Sequence, residues 1–449
     1  MLSKGLDAGG GEEEGLPREV DAVTNQLALL GGTPVRSRPF PPYPIIGDRE
    51  KQAVMRVLES GTLSGFHANF LGGPHVRAFE REFADYFGAR HGIAVNSGTA
   101  ALHVALAAAG VGPGDEVIVP CYTFTATASA VLMHNAIPVF ADVDPRTFCL
   151  TAESAAAVLT PRTKAVVPVH LLGNVCRMDP ILELARRHRL VVIEDNAQAP
   201  GAEYRGRPAG TLGDGGTFSF VETKNLVTGE GGMVITNRDD LAERCRLVRN
   251  HGESYVAGKP RVYVANILGW NYRMTEIEAA IGLAQLGQFK EWTAQRIENA
   301  EYLNSRLRLS GLTTPHTDPD VKHVYHLYAL LYDAGTAGVA RATFIRALAA
   351  EGVRFSGGYP HPLYRNPLFQ EGTVYGEDGC PFTCRPQGRQ VDYRSLDLPM
   401  AEDLCRRALW TDVIRPPATV EDMKDVVRAI EKVYEQRAAL RDAEARGRV

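Results

Sequence analysis

Nowhere does this chain hold the roughly 20 continuous apolar residues that a membrane helix needs, although 45% of its 449 residues are hydrophobic. A helical span is thereby excluded, and the opening residues contain no apolar segment of the signal-peptide kind. Excess charge of one sign is missing too: 49 Lys and Arg face 53 Asp and Glu, so no broad field draws in nucleic acid or anionic membrane. Cysteine is sparse, seven residues at Cys121, Cys149, Cys176, Cys245, Cys380, Cys384 and Cys405. Scattered and odd in number, they suit a reduced cytoplasmic chain better than a disulfide framework. Only Cys380 and Cys384 are neighbours, too few for structural zinc or an iron–sulfur cluster. His323 and His326 lie far from them in sequence, so both pairs read as local structure and no metal centre is expected. These absences leave a small-molecule partner.

The length suits one large and one smaller domain. Gly9-Gly10-Gly11-Glu12-Glu13-Glu14-Gly15 cannot bury apolar surface, which predicts a flexible N-terminal arm over residues 1–39, with order setting in between Leu27 and Pro44. A large domain over 40–290 and a small α+β domain over 291–449 follow. From His91 to Thr236, short apolar runs alternate with helical stretches, the signature of an α/β fold with a mostly parallel sheet and helices on both faces. The runs are Gly92–Val95, Glu116–Val119, Pro138–Phe140, Ala165–Val169, Leu190–Ile193, Thr217–Phe220 and Met233–Thr236; their near-continuous apolarity predicts cover on both faces. Helical spacing marks Thr99–Ala109, Pro180–His188 and Asp239–Asn250. Beyond Arg273 come a long helical stretch through Glu301, a β-like run at Tyr325–Leu331, a Pro-, Gly- and Tyr-rich loop over Tyr359–Asp397, and a closing amphipathic helix at Val420–Arg441.

Three short segments hold chemistry-bearing residues at strand ends. Ser97-Gly98-Thr99 stands between a strand and an alanine-rich helix, where free N–H groups and the helix dipole favour a phosphate; an ordinary N-cap has the same composition. Glu194-Asp195-Asn196-Ala197-Gln198 follows a strand at the end where open α/β sheets bind ligands. There Asp195 can pair with a protonated ring nitrogen and Gln198 with a ring substituent, or Asp195 can merely cap a turn. Lys224, in Phe218–Asn225 ahead of Gly229-Glu230-Gly231-Gly232, fits a surface lysine or a Schiff-base lysine whose amine is partly neutral in a dry pocket.

Phosphate cradle, carboxylate and lysine in this order are far more specific together than singly. With Gly269-Trp270-Asn271-Tyr272-Arg273-Met274 they make the chain, from about Phe40 to the C-terminal helix, resemble the DegT/DnrJ/StrS family of sugar aminotransferases, within the fold-type I enzymes that use pyridoxal 5'-phosphate. The resemblance implies that Lys224 carries the cofactor, Asp195 meets its ring nitrogen, Gln198 its ring hydroxyl, and Gly98, Thr99 and Ser219 its phosphate. Phe124, in Pro120-Cys121-Tyr122-Thr123-Phe124, matches the family aromatic that stacks on the ring, with core packing as the plain alternative. Asn271 matches a residue that reaches the neighbouring subunit's phosphate, implying a homodimer with shared sites. Ser64 and Gly65 resemble a segment near the substrate pocket. Members with histidine in place of the lysine are dehydratases, a branch that Lys224 argues against. Glu222, so near the lysine, is expected to face away from the amine.

The implied reaction takes an amino group from glutamate or glutamine to a ketone on a sugar, usually nucleotide-linked in this family. A ketocyclitol is the alternative acceptor, since Leu27–Arg36 resembles leaders of cyclitol-type members. A reading from another class, a sensor or scaffold that binds the cofactor without catalysis, is weighed against by the intact set Lys224, Asp195 and Gln198.

Overall fold

A computed structural model describes residues 26–67, 69–253, 263–375, 379–383 and 392–448. Seven strands form the central sheet: β1 (His91–Val95), β2 (Glu116–Pro120), β3 (Ile137–Ala141), β4 (Thr163–Val166), β5 (Val191–Asp195), β6 (Gly215–Ser219) and β7 (Gly232–Thr236). Their order is β1-β7-β6-β5-β4-β2-β3. Only β7 runs against its neighbours; the other pairings are parallel. Each run expected from the sequence supplies one strand.

Alternate residues leave a strand on opposite faces, and here both faces are dry. Val117 and Val119 of β2 join the cluster that includes the alanine-rich helix Gly98–Ala108, whereas Ile118 joins Val166, Val192 and the apolar face of Met178–His188. Phe218, Met233 and Ile235 pack on Phe79, Phe83 and Phe87 of the helix Pro74–Phe87. The sheet closes tightly at β6: a Cβ on Gly216 would stand 2.4 Å from the Gly210 Cα and its carbonyl oxygen, so only glycine fits there.

The helical stretch after Arg273 is two helices, Glu276–Leu286 and Phe289–Arg306. The first begins with a capping box of Thr275 and Glu278, which satisfies free N–H groups at the helix start. Further on, Leu312–Thr313, Tyr328–Tyr332 and Ala408–Thr411 form a small antiparallel sheet. It shares a core with the helices Phe289–Arg306, Arg341–Ala350 and Val420–Glu435. The described part of the Tyr359–Asp397 loop is anchored on the large sheet, with Phe369 and Tyr393 edge-on to Phe140 of β3 at 5.0 and 5.4 Å.

Two expectations need correction. The flexible arm does not extend to residue 39. Leu27 is fully buried in the core beneath the small antiparallel sheet, and Arg36 pairs with Asp422 at 2.9 Å and Asp425 at 2.8 Å. Leu29, Leu30, Val35 and Phe40 pack on the same core, so order sets in at the near end of the expected Leu27–Pro44 window. The Gly9–Gly15 stretch lies outside the described residues. The thiols are also not uniformly reduced: Cys121, Cys149, Cys176, Cys245 and Cys405 are free and buried, but Cys380 is disulfide-bonded. Cys384 is outside the described residues.

Glu351 ties the N-terminal segment down. Its fully buried carboxylate accepts from the N–H of Ala28 at 2.8 Å and of Val35 at 2.9 Å, and pairs with Lys432 at 2.9 Å. Removing one partner of such a pair leaves the other charge and the N–H groups unmatched. Glu351→Ala should therefore cost about 3 kcal/mol, measured by denaturant unfolding. Backbone hydrogen exchange should quicken first within residues 27–36.

Candidate active site

Ser97, Gly98, Thr99, Phe124, Asp195, Gln198, Ser219 and Lys224 all border one cavity of about 490 Å³. It lies where β5 and β6 end and where β1 gives way to the helix Gly98–Ala108. Ser97 is that helix's N-cap, accepting from the Ala100 N–H at 3.0 Å. A Cβ on Gly98 would meet the Ser219 Cβ at 2.6 Å and its Oγ at 3.0 Å. Glycine thus lets the end of β6 come up against the first helical turn. Free N–H groups, two hydroxyls and the positive end of the helix dipole result, a suitable seat for a phosphate.

Asp195 is the last residue of β5 and is buried. Its Oδ1 accepts from the Ala197 N–H at 3.0 Å, so the turn-capping role is real, while its Oδ2 accepts from the Thr127 hydroxyl at 3.0 Å. Burial raises its pKa, opposed by those two donors and by Lys224 and His170. A carboxylate so placed regains its charge when a cation is set against it. The strand end is fixed from behind by Glu194, which accepts from the N–H groups of Gly210, Leu212 and Gly213 at 2.7–2.8 Å and from His170 Nε2 at 2.9 Å. His170 Nδ1 accepts from the Cys176 N–H, so the ring's proton sits on Nε2.

Lys224 follows β6 in a turn closed by its N–H to the Val221 carbonyl at 2.8 Å. Burial lowers its pKa to about 8; Asp195 opposes the shift and Arg415 adds to it. Glu222 is exposed and does not border the cavity, as expected of a carboxylate that must not hold the ammonium form. Phe124 is 59% exposed, which rules out core packing and leaves its face open to a ligand. Gln198 is held at two points, accepting from the Leu172 N–H at 2.7 Å and hydrogen-bonded to Tyr359.

Several cavity residues had no motif to announce them. Thr127 comes from the helix Ala126–Leu132, and His326, Leu327, Tyr359 and Trp410 come from the chain beyond the helix Phe289–Arg306. His326, read from the sequence as local structure, in fact meets Asn225 at 3.0 Å beside Lys224. Burial holds it neutral, with its pKa well below the ordinary histidine value. Only Tyr359, inside the Pro-, Gly- and Tyr-rich loop, lay in a stretch that composition had marked. Ser64 and Gly65 do not border the cavity. Gly65 instead has φ +71° with the Gly73 backbone 2.3 Å from where its Cβ would be, a structural turn. Asn271 is exposed and also stands off this cavity; its backbone pairs with Asn250.

A seat for phosphate, a lysine of lowered proton affinity, a buried carboxylate and an open aromatic face fit pyridoxal phosphate, and on this sheet they define an aminotransferase dependent on that cofactor. The chain belongs to the DegT/DnrJ/EryC1/StrS aminotransferase family, whose model matches residues 44–431. It is 45% identical to GDP-perosamine synthase of Caulobacter vibrioides over 73% of this chain and 85% of that protein. It is 38% identical to L-glutamine:2-deoxy-scyllo-inosose aminotransferase of Streptoalloteichus tenebrarius over 92% of this chain and 99% of that one. The aminotransferase structure from Psychrobacter cryohalolentis superposes with a TM-score of 0.79 at 36% identity, covering 89% of this chain and 99% of that one. The protein is therefore an enzyme, and the sensor reading is set aside.

The half-buried lysine carries a pH signature. With a pKa of about 8 in the folded chain against 10.5 unfolded, folding must enclose an ammonium below pH 8. The unfolded state then binds more protons between pH 8 and 10.5, so stability rises with pH across that window. Lys224→Met should raise the thermal midpoint of the cofactor-free protein at pH 7. The advantage over wild type should shrink as pH climbs from 8 to 10.5, followed by calorimetry.

Proposed function

We propose that the enzyme transfers an amino group from glutamate or glutamine to a ketone on a six-membered polyhydroxylated ring, acting in the cytoplasm as a homodimer. The observation that carries this reading is the cavity itself: besides Lys224 and Asp195 it is bordered by Thr223, Glu230, Tyr359 and Trp410, whose buried indole N–H has no partner among the described residues. A ring bearing several hydroxyls would pair with these groups, whereas a linear 2-oxo acid with an apolar side chain would leave the indole N–H unmatched.

When bound, pyridoxal phosphate supplies an electron sink for the carbon that bears the amino group. The residues divide the remaining work. Gly98, Thr99 and Ser219 would hold the phosphate at the helix N-terminus. Asp195 would pair with the protonated ring nitrogen and Gln198 with the ring hydroxyl, and Phe124 would stack on the ring. Lys224, neutral in part near pH 8, anchors the cofactor through Nζ and then takes and returns a proton at that atom. Asn271, exposed and away from its own chain's cavity, serves the phosphate site of the second subunit.

Among ring acceptors, the likeness to the scyllo-inosose aminotransferase, which spans 92% of this chain and 99% of that one, favours a ketocyclitol over a nucleotide-linked sugar. The nucleotide-linked alternative draws on the likeness to GDP-perosamine synthase.

Two experiments test this. Asp195→Asn should keep the cofactor but lose at least about two orders of magnitude in turnover, the scale of a lost charge-assisted contact in a reacting site; near-normal turnover would reduce Asp195 to its capping role. Enzyme loaded with pyridoxamine phosphate, offered ketocyclitols, free and nucleotide-linked keto sugars and linear 2-oxo acids, should recover the visible absorption of the lysine-bound cofactor with ketocyclitols. Recovery with nucleotide-linked sugars alone would overturn the acceptor, and recovery with linear acids alone would overturn the ring.

A further inference from the structure

Lys224 is also gripped from outside the cavity. Tyr43, 181 residues earlier in the chain, donates its hydroxyl proton to the Lys224 carbonyl oxygen. The same hydroxyl is hydrogen-bonded to Arg296, a residue 1% exposed whose Nε and Nη1 have no partner. Over the Tyr43 ring stands Arg415, its guanidinium carbon 5.0 Å from the centroid, a cation–π distance. Arg415 is tethered to Asp412 at 3.0 Å while its buried Nε is unpartnered. The helix Phe289–Arg306 sets this arrangement: Asn299 Nδ2 donates to the carbonyls of Ile414 and Ala418 at 3.0 and 2.8 Å, and Gln295 Nε2 to that of Ala418 at 3.1 Å. The small domain thus grips the 414–418 segment, which presses a guanidinium onto Tyr43, which holds the lysine's main chain.

We propose that Tyr43 and Arg415 are positioning residues for Lys224: the hydroxyl fixes the carbonyl from which the lysine side chain reaches into the cavity, and the ring lodges a guanidinium behind the amine. The proposal rests on Lys224 being the cofactor-bearing lysine.

The charges around the amine show what the guanidinium adds. Asp195, at the end of β5, favours the ammonium; Arg415 disfavours it. His326 is kept neutral by burial, with Lys224, Arg415 and Arg296 all opposing its protonation. Arg296 stands behind the Tyr43 hydroxyl, and Glu222 and Glu230 are exposed. Like charges disfavour each other's charged forms, most of all where solvent is scarce. Arg415 belongs to the small domain and Lys224 to the large one, so docking of the two adds to the burial that keeps part of the amine neutral. Tyr43 is the piece through which one is felt by the other.

The test uses the full-length protein. Borohydride reduction of the protein with pyridoxal phosphate first shows where the cofactor is fixed. Attachment to another lysine removes the basis of the proposal along with the earlier reading. With attachment at Lys224, the proposal is judged separately on cofactor-free protein by trace acetylation of Lys224 against pH, read by mass spectrometry. Wild type should show a midpoint near 8. Arg415→Met should move it upward, so that labelling at pH 7 falls roughly three- to tenfold, and Arg415→Lys should restore it. Asp412 is 56% exposed and stays solvated in the methionine variant, so folding is spared. Tyr43→Phe keeps the ring and should keep the midpoint, yet weaken capture of pyridoxal phosphate roughly three- to tenfold, the worth of one hydrogen bond. If Tyr43→Phe does not fold, the two Arg415 variants decide alone. An unmoved midpoint in Arg415→Met, or failure of Arg415→Lys to restore it, overturns the role of the guanidinium; unchanged cofactor capture by folded Tyr43→Phe overturns that of the hydroxyl.

Discussion

The contact between Gly98 and Ser219 is the constraint on which the site depends. With 2.6 Å between the position of a Gly98 Cβ and that of Ser219, any side chain at residue 98 would push the helix Gly98–Ala108 away from the end of β6. Three things would then separate at once: the helix N-terminus with its free N–H groups, the Ser219 hydroxyl, and the turn that begins at Phe220 and delivers Lys224. The sheet order reinforces this, since β6 sits between β5, which ends at Asp195, and β7. One close approach between backbones therefore sets the spacing of phosphate seat, lysine and carboxylate.

Around that contact the protein holds two groups away from their comfortable charge states. Burial raises the pKa of Asp195 and lowers that of Lys224, so each is less often charged than it would be in water. Both shifts cost folding free energy; the lysine's suits a nucleophilic amine, and the carboxyl's is reversed when a positively charged ring nitrogen is set against it. The supporting groups are ordinary in kind. Glu194 satisfies four donors in the dark of the sheet, and Thr127 and Ala197 aim the neighbouring carboxylate. Strain at the reacting residues is thus carried by well-matched residues one step behind them.

Much of this was readable before any coordinates. A strand covered on both faces must be apolar almost throughout, and that signal marked all seven strands of the sheet. The segments Ser97–Thr99, Glu194–Gln198 and Phe218–Lys224 were readable because strand-end chemistry is local: a ligand contact and the turn that presents it lie within a few residues. Residues such as His326, Leu327 and Trp410 were not, because their nearness to Lys224 comes from docking across more than a hundred residues of chain, which leaves no spacing to detect. Residues 27–36 were misjudged for a related reason. Leu27, Leu29, Leu30 and Val35 find their core, and Arg36 and the backbone their partners Glu351, Asp422 and Asp425, only far along the chain.

The sequence by itself determined the alternation of strands and helices, the glycine at residue 98, and the order of phosphate seat, carboxylate and lysine, since each depends on neighbours along the chain. Tertiary structure alone decided that Phe124 is open to the cavity and that Ser64 and Gly65 are not part of it. It also decided that Tyr43 and Arg415 stand behind the lysine. The division is physical: backbone geometry and periodicity are short-range, whereas burial and the fields that set a proton's affinity belong to whatever the folded chain brings within a few ångströms.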